Sequence, residues 1–304
     1  MNILVTGGAG FIGTNLIKRL LEDKHNVISI DNYSIGKKEN EQDGCTYYDM
    51  NLSEEPLDKI RMSKPDIIFH LAARARIVPS IQNPAFTLFN NLNSTIRVLD
   101  YARSKKIPVV YAGSSSAHGD LYANPYTFSK WNGEELCKLY HNVYKLPVTI
   151  CRFYNVYGDG QLTEGAYCTV LGIFERQFKS GQCLTVTGDG LQKRDFTYVG
   201  DIVDGLIRCG FGLSTGYVRV NDTVWELLSE DISGQVFELG NGKNYSILDL
   251  VDGFGETDNI EYIPARPGEV RESLNTDNKA QNLLKWKPTG DIIEYIKQNY
   301  LEVK

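Results

Sequence analysis

Apolar positions alternate along the chain between short continuous runs and helix-spaced stripes. Met1 to Thr6 is an apolar run of strand type, and Gly7-Gly8-Ala9-Gly10-Phe11-Ile12-Gly13 follows at once. Asn15 to Asp23 carries Leu16, Leu20 and Leu21 on one helical face, and a second apolar run, Val27 to Ile30, ends in Asp31. Strand, glycine turn, helix and strand within about thirty residues is the length of one βαβ unit. The rhythm continues through an apolar run at 67–71, a helix over 84–104, a run at 109–112, a helix over 126–144 and a run at 148–150. Strands alternating with helices predict an α/β fold with a doubly wound, mostly parallel sheet covered on both faces.

Beyond Gly158 the pattern loosens, and glycines cluster at 187–190 and 210–216. The expected division is a nucleotide-binding unit over residues 1–165 and a smaller C-terminal substrate lobe over 166–304, with 191–215 returning to the first unit. No repeat, low-complexity stretch or Pro/Ser-rich linker separates them, so the lobes should pack closely and the cleft between them is the default ligand site.

Composition narrows the function classes. With 304 residues, 42% hydrophobic and 23% charged, the chain reads as an ordinary globular protein, neither disordered nor fibrous. No stretch reaches the roughly 18 apolar residues of a membrane span, and no basic segment followed by a greasy run opens the chain, so a cytoplasmic protein is expected. A formal net charge of −6 argues against a general nucleic-acid binder, whose phosphate affinity comes from clustered Lys and Arg. The six cysteines lie far apart with no C-x-x-C pair and no His at ligand spacing, so they predict reduced thiols and no metal site.

The glycine turn is the first candidate for chemistry. Between a strand and a helix it lets the backbone approach a pyrophosphate, whose charge meets the helix N–H groups and dipole. Gly7, Gly10 and Gly13 have the needed spacing, and Asp31 stands 18 residues beyond Gly13 at the next strand end. A carboxylate there accepts from adenosine ribose hydroxyls and repels a 2′-phosphate, favouring NAD over NADP on a Rossmann-type sheet.

Tyr126 and Lys130, four residues apart on a predicted helix, share a face. The ammonium field favours a phenolate, so such a phenol can act as a base near neutral pH. The spacing occurs four times, at Tyr33/Lys37, Tyr101/Lys105, Tyr126/Lys130 and Tyr300/Lys304, and does not choose among them. Position does: ligands bind at the carboxyl ends of parallel strands, and Tyr126 opens the helix after the strand that ends in Gly113-Ser114-Ser115-Ser116.

With these elements in this order, the chain resembles the extended short-chain dehydrogenase/reductases, specifically their NAD-dependent nucleotide-sugar epimerase and dehydratase branch. Asp49-Met50, His70-Leu71-Ala72-Ala73, Asn90-Asn91, the run from Arg152 to Gly158, the run from Arg194 to Val199 with Asp201, and Arg266-Pro267-Gly268-Glu269 extend the likeness over nearly the whole chain. The resemblance implies that the turn residues Gly7, Gly10, Phe11, Ile12 and Gly13 hold NAD, together with Asp31, Asn32, Asp49, Met50, Leu71, Ala72, Ala73, Asn90, Tyr126 and Lys130. It implies that Ser114 is the catalytic hydroxyl, Tyr126 the base and Lys130 its partner. Asn155, Arg194, Arg266, Glu269 and Ser273 then meet the nucleotide sugar, most simply a UDP-sugar. The family's long helices, here carrying Phe89, Leu92, Trp131 and Leu139, imply a homodimer.

Within the branch, 4,6-dehydratases carry an Asp-Glu pair after the catalytic Thr, and decarboxylating relatives carry a Glu. Here those positions are Ser115 and Ser116, whose hydroxyls cannot shuttle protons at neutral pH. The reading is therefore a 4-epimerase acting through a transient 4-keto sugar. A nucleotide-sugar reductase or dehydratase and a catalytically silent NAD-binding regulator are the alternatives. Ser273 is small where a bulky Tyr would restrict relatives to glucose and galactose, which favours tolerance of UDP-N-acetylhexosamines. Two departures stand out: Ser116-Ala117-His118-Gly119 replaces the family's Ser-Val-Tyr-Gly, and Tyr126 follows Ser114 by only 12 positions.

Overall fold

The computed structural model describes residues 1–220, 224–265 and 270–302. Seven strands form one parallel sheet: β1 (Asn2–Thr6), β2 (Asn26–Asp31), β3 (Cys45–Asp49), β4 (Ile67–His70), β5 (Val109–Ser114), β6 (Val148–Phe153) and β7 (Val236–Leu239). Their order is β7-β6-β5-β4-β1-β2-β3, so the winding reverses between β1 and β4. At that reversal the loops leaving neighbouring strands diverge and open a crevice. The four main flanking helices are α1 (Phe11–Glu22), α2 (Pro84–Lys105), α3 (Pro125–Tyr144) and α4 (Val199–Thr215). The inner strands are continuous apolar runs because both faces are covered; Leu4, Val5, Ile68, Val109 and Val110 are fully buried.

Helix α1 starts four residues before the apolar stripe suggests. The glycine turn runs straight into it with Gly10 as N-cap, and poor helix formers conceal the first turn in the sequence. Its stripe, Leu16, Ile17 and Leu20, is buried against the sheet, each side chain worth about 1.5–3 kcal/mol. Both α2 and α3 begin with an Asn-Pro pair: Asn83 accepts from Phe86 N and Asn124 from Thr127 N. Of the apolar residues expected on their outer face, Phe89 and Leu139 are exposed, whereas Leu92 and Trp131 are half-buried.

Helix α4 lies on the sheet face that carries α1, with Ile202, Val203, Leu206 and Ile207 in the same core. Further parts of the second half pack on the same sheet. Strand β7 pairs with β6, and Ala280, Leu284 and Trp286 complete the core over α4. Asp201 fastens this crossing: its carboxylate accepts from Thr289 N at 3.0 Å and Gly290 N at 2.9 Å, and its carbonyl from Trp286 Nε1 at 2.8 Å. The smaller lobe has a separate core built on Phe174, Leu184, Val186, Leu250, Phe254 and Ile296. Asp195 organises its inner edge, accepting from the backbone N–H of Asn241, Gly242 and Asn275 at 2.8–3.1 Å.

Candidate active site

The carboxyl ends of the strands open into a cavity of about 1190 Å³ that runs across the reversal point into the smaller lobe. At one end is the glycine turn. Gly7 has φ +74°, and a Cβ there would lie 2.8 Å from Ala72 N; a Cβ on Gly13 would lie 2.2 Å from Gly7 O. Side chains are thus excluded where the β1 exit, the β4 exit and α1 converge. Gly10 offers no side-chain cap, so the first N–H groups and positive dipole end of α1 face the cavity through Phe11, Ile12 and Gly13. Such a cradle fits a pyrophosphate.

Asp31 is fixed beside it by two backbone donors, Ala9 N and Tyr33 N, each at 2.9 Å. Burial pushes its carboxyl above the usual range, and the N–H groups offset only part of that rise. Under the cavity floor, His70 Nδ1 lies 2.8 Å from Thr6 Oγ1 and Nε2 3.1 Å from Thr95 Oγ1. Burial pushes this imidazole down to about 3, so it is neutral and ties β1, β4 and α2 together without lining the cavity.

Ser114, Tyr126 and Lys130 all line this cavity. Ser114 ends β5, and a single 3₁₀ turn over Ser115–His118 follows. Its Oγ accepts from Ser116 N at 3.3 Å and Ser116 Oγ at 2.9 Å, which leaves its own O–H to donate into the cavity. Tyr126 lies in the first turn of α3, its backbone N donating to Ser80 Oγ at 3.1 Å. One turn on, Lys130 is buried with Nζ 4.4 Å from the Tyr111 ring centroid. Desolvation lowers this ammonium to about 8.

The other expected positions divide as follows. Asn32, Met50, Leu71, Ala72, Ala73 and Asn90 line the same cavity, and so do Asn155, Arg194 and Ser273. Asp49 is exposed at the end of edge strand β3 and is not among the lining residues. Arg266 and Glu269 lie outside the described residues. Arg194 Nη1 donates to the Lys193 carbonyl at 2.9 Å, whereas the neighbouring Asp195 carboxylate is engaged with backbone donors. Ser273 Oγ accepts from Asp195 N at 3.4 Å.

Several lining residues escaped the sequence reading. Glu238, on β7, accepts from Arg152 Nη1 at 3.0 Å, Tyr154 Oη at 3.1 Å and His118 Nε2 at 2.9 Å. Arg152 is gripped from the other side by Glu134, whose two oxygens accept from Nε and Nη2 at 2.7–3.1 Å. A lone carboxylate inside the apolar run Val236-Phe237-Glu238-Leu239 was the available signal. Arg74 and Arg76 also reach the cavity. Arg76 has φ +88° and its Nε donates to Tyr167 O at 2.9 Å, tying the β4 exit to the loop before the helix Val170–Lys179.

A sequence profile described as the NAD dependent epimerase/dehydratase family matches residues 3–209. The chain belongs to this family. Within it, the UDP-glucose 4-epimerase of Mycolicibacterium smegmatis is 31% identical, covering 97% of this chain and 96% of that protein. The UDP-glucose 4-epimerase of Thermotoga maritima, solved with UDP-glucose, superposes with a TM-score of 0.85 at 28% identity, over 98% of this chain and 96% of that one. A UDP-N-acetylglucosamine 4-epimerase from Methanobrevibacter ruminantium, in complex with UDP-N-acetylmuramic acid, gives a TM-score of 0.84 at 27% identity, covering 98% and 96%. The cofactor is NAD, as in the family.

Two expectations follow for this family member. Asp31→Asn should weaken NAD binding about tenfold and narrow the preference over NADP by a similar factor, because a charge-assisted acceptor and a repulsive charge are lost together. Fluorescence titration with both dinucleotides checks this, and an unchanged ratio would count against it. Lys130 gives up its proton near 8 in the folded cofactor-free protein, against an ordinary value of 10.5. Between those values the unfolded chain binds more protons, so stability should rise with pH from 8 to 10 relative to Lys130→Met. Urea midpoints across that window test it, and parallel curves for the two proteins would refute it.

Proposed function

We propose that this enzyme epimerises a UDP-hexose or UDP-N-acetylhexosamine at carbon 4 through a transient 4-keto sugar. The observation that carries the reading is that Ser114, Tyr126 and Lys130 line one cavity, with hydroxyl side chains, Ser115 and Ser116, at the first two positions of the turn that follows. NAD, when bound, supplies a hydride acceptor that later returns the hydride, so no net oxidation occurs.

The side chains supply the rest. As a phenolate, Tyr126 takes the proton from the sugar 4-hydroxyl and becomes a neutral phenol, and the Lys130 ammonium one turn away balances the phenolate charge before the transfer. Ser114, with its lone pairs occupied by Ser116, donates its O–H to the same sugar oxygen. Water must be kept out while the keto sugar turns over; here the loop containing Ala166, Tyr167 and Cys168, held by Arg76, contributes to the wall. Asn155, Arg194 and Ser273 line the cavity and receive the nucleotide diphosphate, and the small Ser273 leaves room for an N-acetyl group. The names of the epimerase relatives agree with this substrate class. The exposed Phe86, Phe89, Leu139 and Val143 on α2 and α3 suit a homodimer face, and six free thiols suit a reducing cytoplasm.

An NMR panel of UDP-sugars tests the reading. Conversion of a UDP-hexose to its 4-epimer without net change in reduced-cofactor absorbance is expected. Consumption of added reduced cofactor would point to a reductase, and NAD binding with no conversion to a regulator. Turnover of UDP-glucose but not UDP-N-acetylglucosamine would remove the N-acetyl assignment alone.

A further inference from the structure

The proposed reaction leaves one built feature of the cavity unused. His118 ends the 3₁₀ turn that begins just after Ser114, lines the same cavity and keeps its side chain 52% exposed. Its Nε2 lies 2.9 Å from Glu238 Oε1. That carboxylate is 8% exposed and is already clamped by Arg152 at Oε1 and Tyr154 at Oε2. Arg152 is clamped in turn by the fully buried Glu134. Glu238 is held in place, and a carboxylate in an ion pair with Arg152 only accepts, so the Nε2 that faces it carries a proton. The opposite nitrogen, Nδ1, is an acceptor in the Nε2–H tautomer, and among the described residues it has no hydrogen-bond partner.

We propose that His118 is a specificity-determining residue for the hexosyl group, its Nδ1 accepting a hydrogen bond from a sugar hydroxyl, with Glu238 as the positioning residue that fixes the tautomer. This rests on the 4-epimerase reading of the cavity. It also specifies the sugar class. A lone pair backed by a fixed carboxylate welcomes a neutral hydroxyl and repels a sugar that brings a carboxylate to the same place, so neutral UDP-hexoses are preferred to UDP-hexuronates.

The test is a binding and turnover series on the NAD-loaded enzyme. His118→Phe keeps a planar ring but has no acceptor; KM for the preferred neutral UDP-hexose should rise about tenfold, the size of one net hydrogen bond, with kcat within about twofold. Binding of UDP alone should not change, which also reports an intact fold. Glu238→Ala removes the acceptor that holds a ring proton on Nε2. Its imidazole nitrogen NMR signals should then report both tautomers, with KM rising part of the way toward that of His118→Phe. An active wild type whose KM is unmoved in His118→Phe, or a variant that weakens UDP as much as UDP-hexose, overturns the His118 assignment only. A wild type that converts no UDP-sugar overturns the epimerase reading beneath it.

Discussion

Tyr126→Phe should fold, retain NAD and turn over its sugar nucleotide about 10³-fold more slowly than the wild type. The expectation is sharp because the substitution removes one oxygen atom. Tyr126 is half-buried, its backbone is anchored through Ser80, and its phenol oxygen has no hydrogen-bond partner among the described residues. Stability should therefore barely move, and the loss should fall on kcat. A general base contributes only in the transition state, so kcat and kcat/KM should fall together while the affinity for UDP stays constant. Retained cofactor absorbance and an unchanged melting curve would separate lost chemistry from lost fold. Activity near that of the wild type would discard the phenol as the base and with it the proposed proton path.

Glu134→Ala is expected to be the most destabilising single change near the cavity, by about 3–5 kcal/mol. Glu134 is fully buried on α3 and holds Arg152 on β6 through both oxygens, while Arg152 also reaches Glu238 on β7. Removing the methylene and carboxylate leaves a guanidinium, itself only 15% exposed, with half its partners and a small void beside it. The charge has little access to water, so the loss exceeds what an exposed pair would give. Glu134→Gln keeps the shape and one acceptor and should lose less. Urea unfolding with tryptophan fluorescence measures both, and a loss below about 1 kcal/mol for the alanine variant would show that the network relaxes far more than buried ion pairs usually do.

The two variants probe parts of the site that differ in how visible they are in the sequence. The glycine turn, Asp31, the serine-rich strand end and the Tyr126/Lys130 pair were legible because each is a local pattern whose meaning depends on strand and helix neighbours within a few residues. The four Tyr/Lys spacings show the limit of pattern alone: Tyr33 turns out to donate to Glu41 and to lie under Lys38. What stayed hidden is set by pairing across the chain. Arg152 and Glu238 meet only because β7 docks beside β6, 86 residues away, and Ser273 meets Asp195 across 78. A sheet that accepts its last strand from the second lobe cannot be read from periodicity, since that strand has four residues and looks like any short apolar run. Asp49 illustrates the converse. Its family position is clear in the sequence, yet it projects from an exposed edge strand whose neighbour Met50 turns into the cavity instead.

Arg76 holds a left-handed backbone that a non-glycine residue adopts at a cost of about 1–3 kcal/mol, while its side chain tethers the opposite rim at Tyr167. One residue thus combines a costly backbone at the exit of one strand with the tether on the far lip. Glycine at that position would relax the main chain and slacken the lip in the same stroke, so a sturdier molecule would be a leakier one.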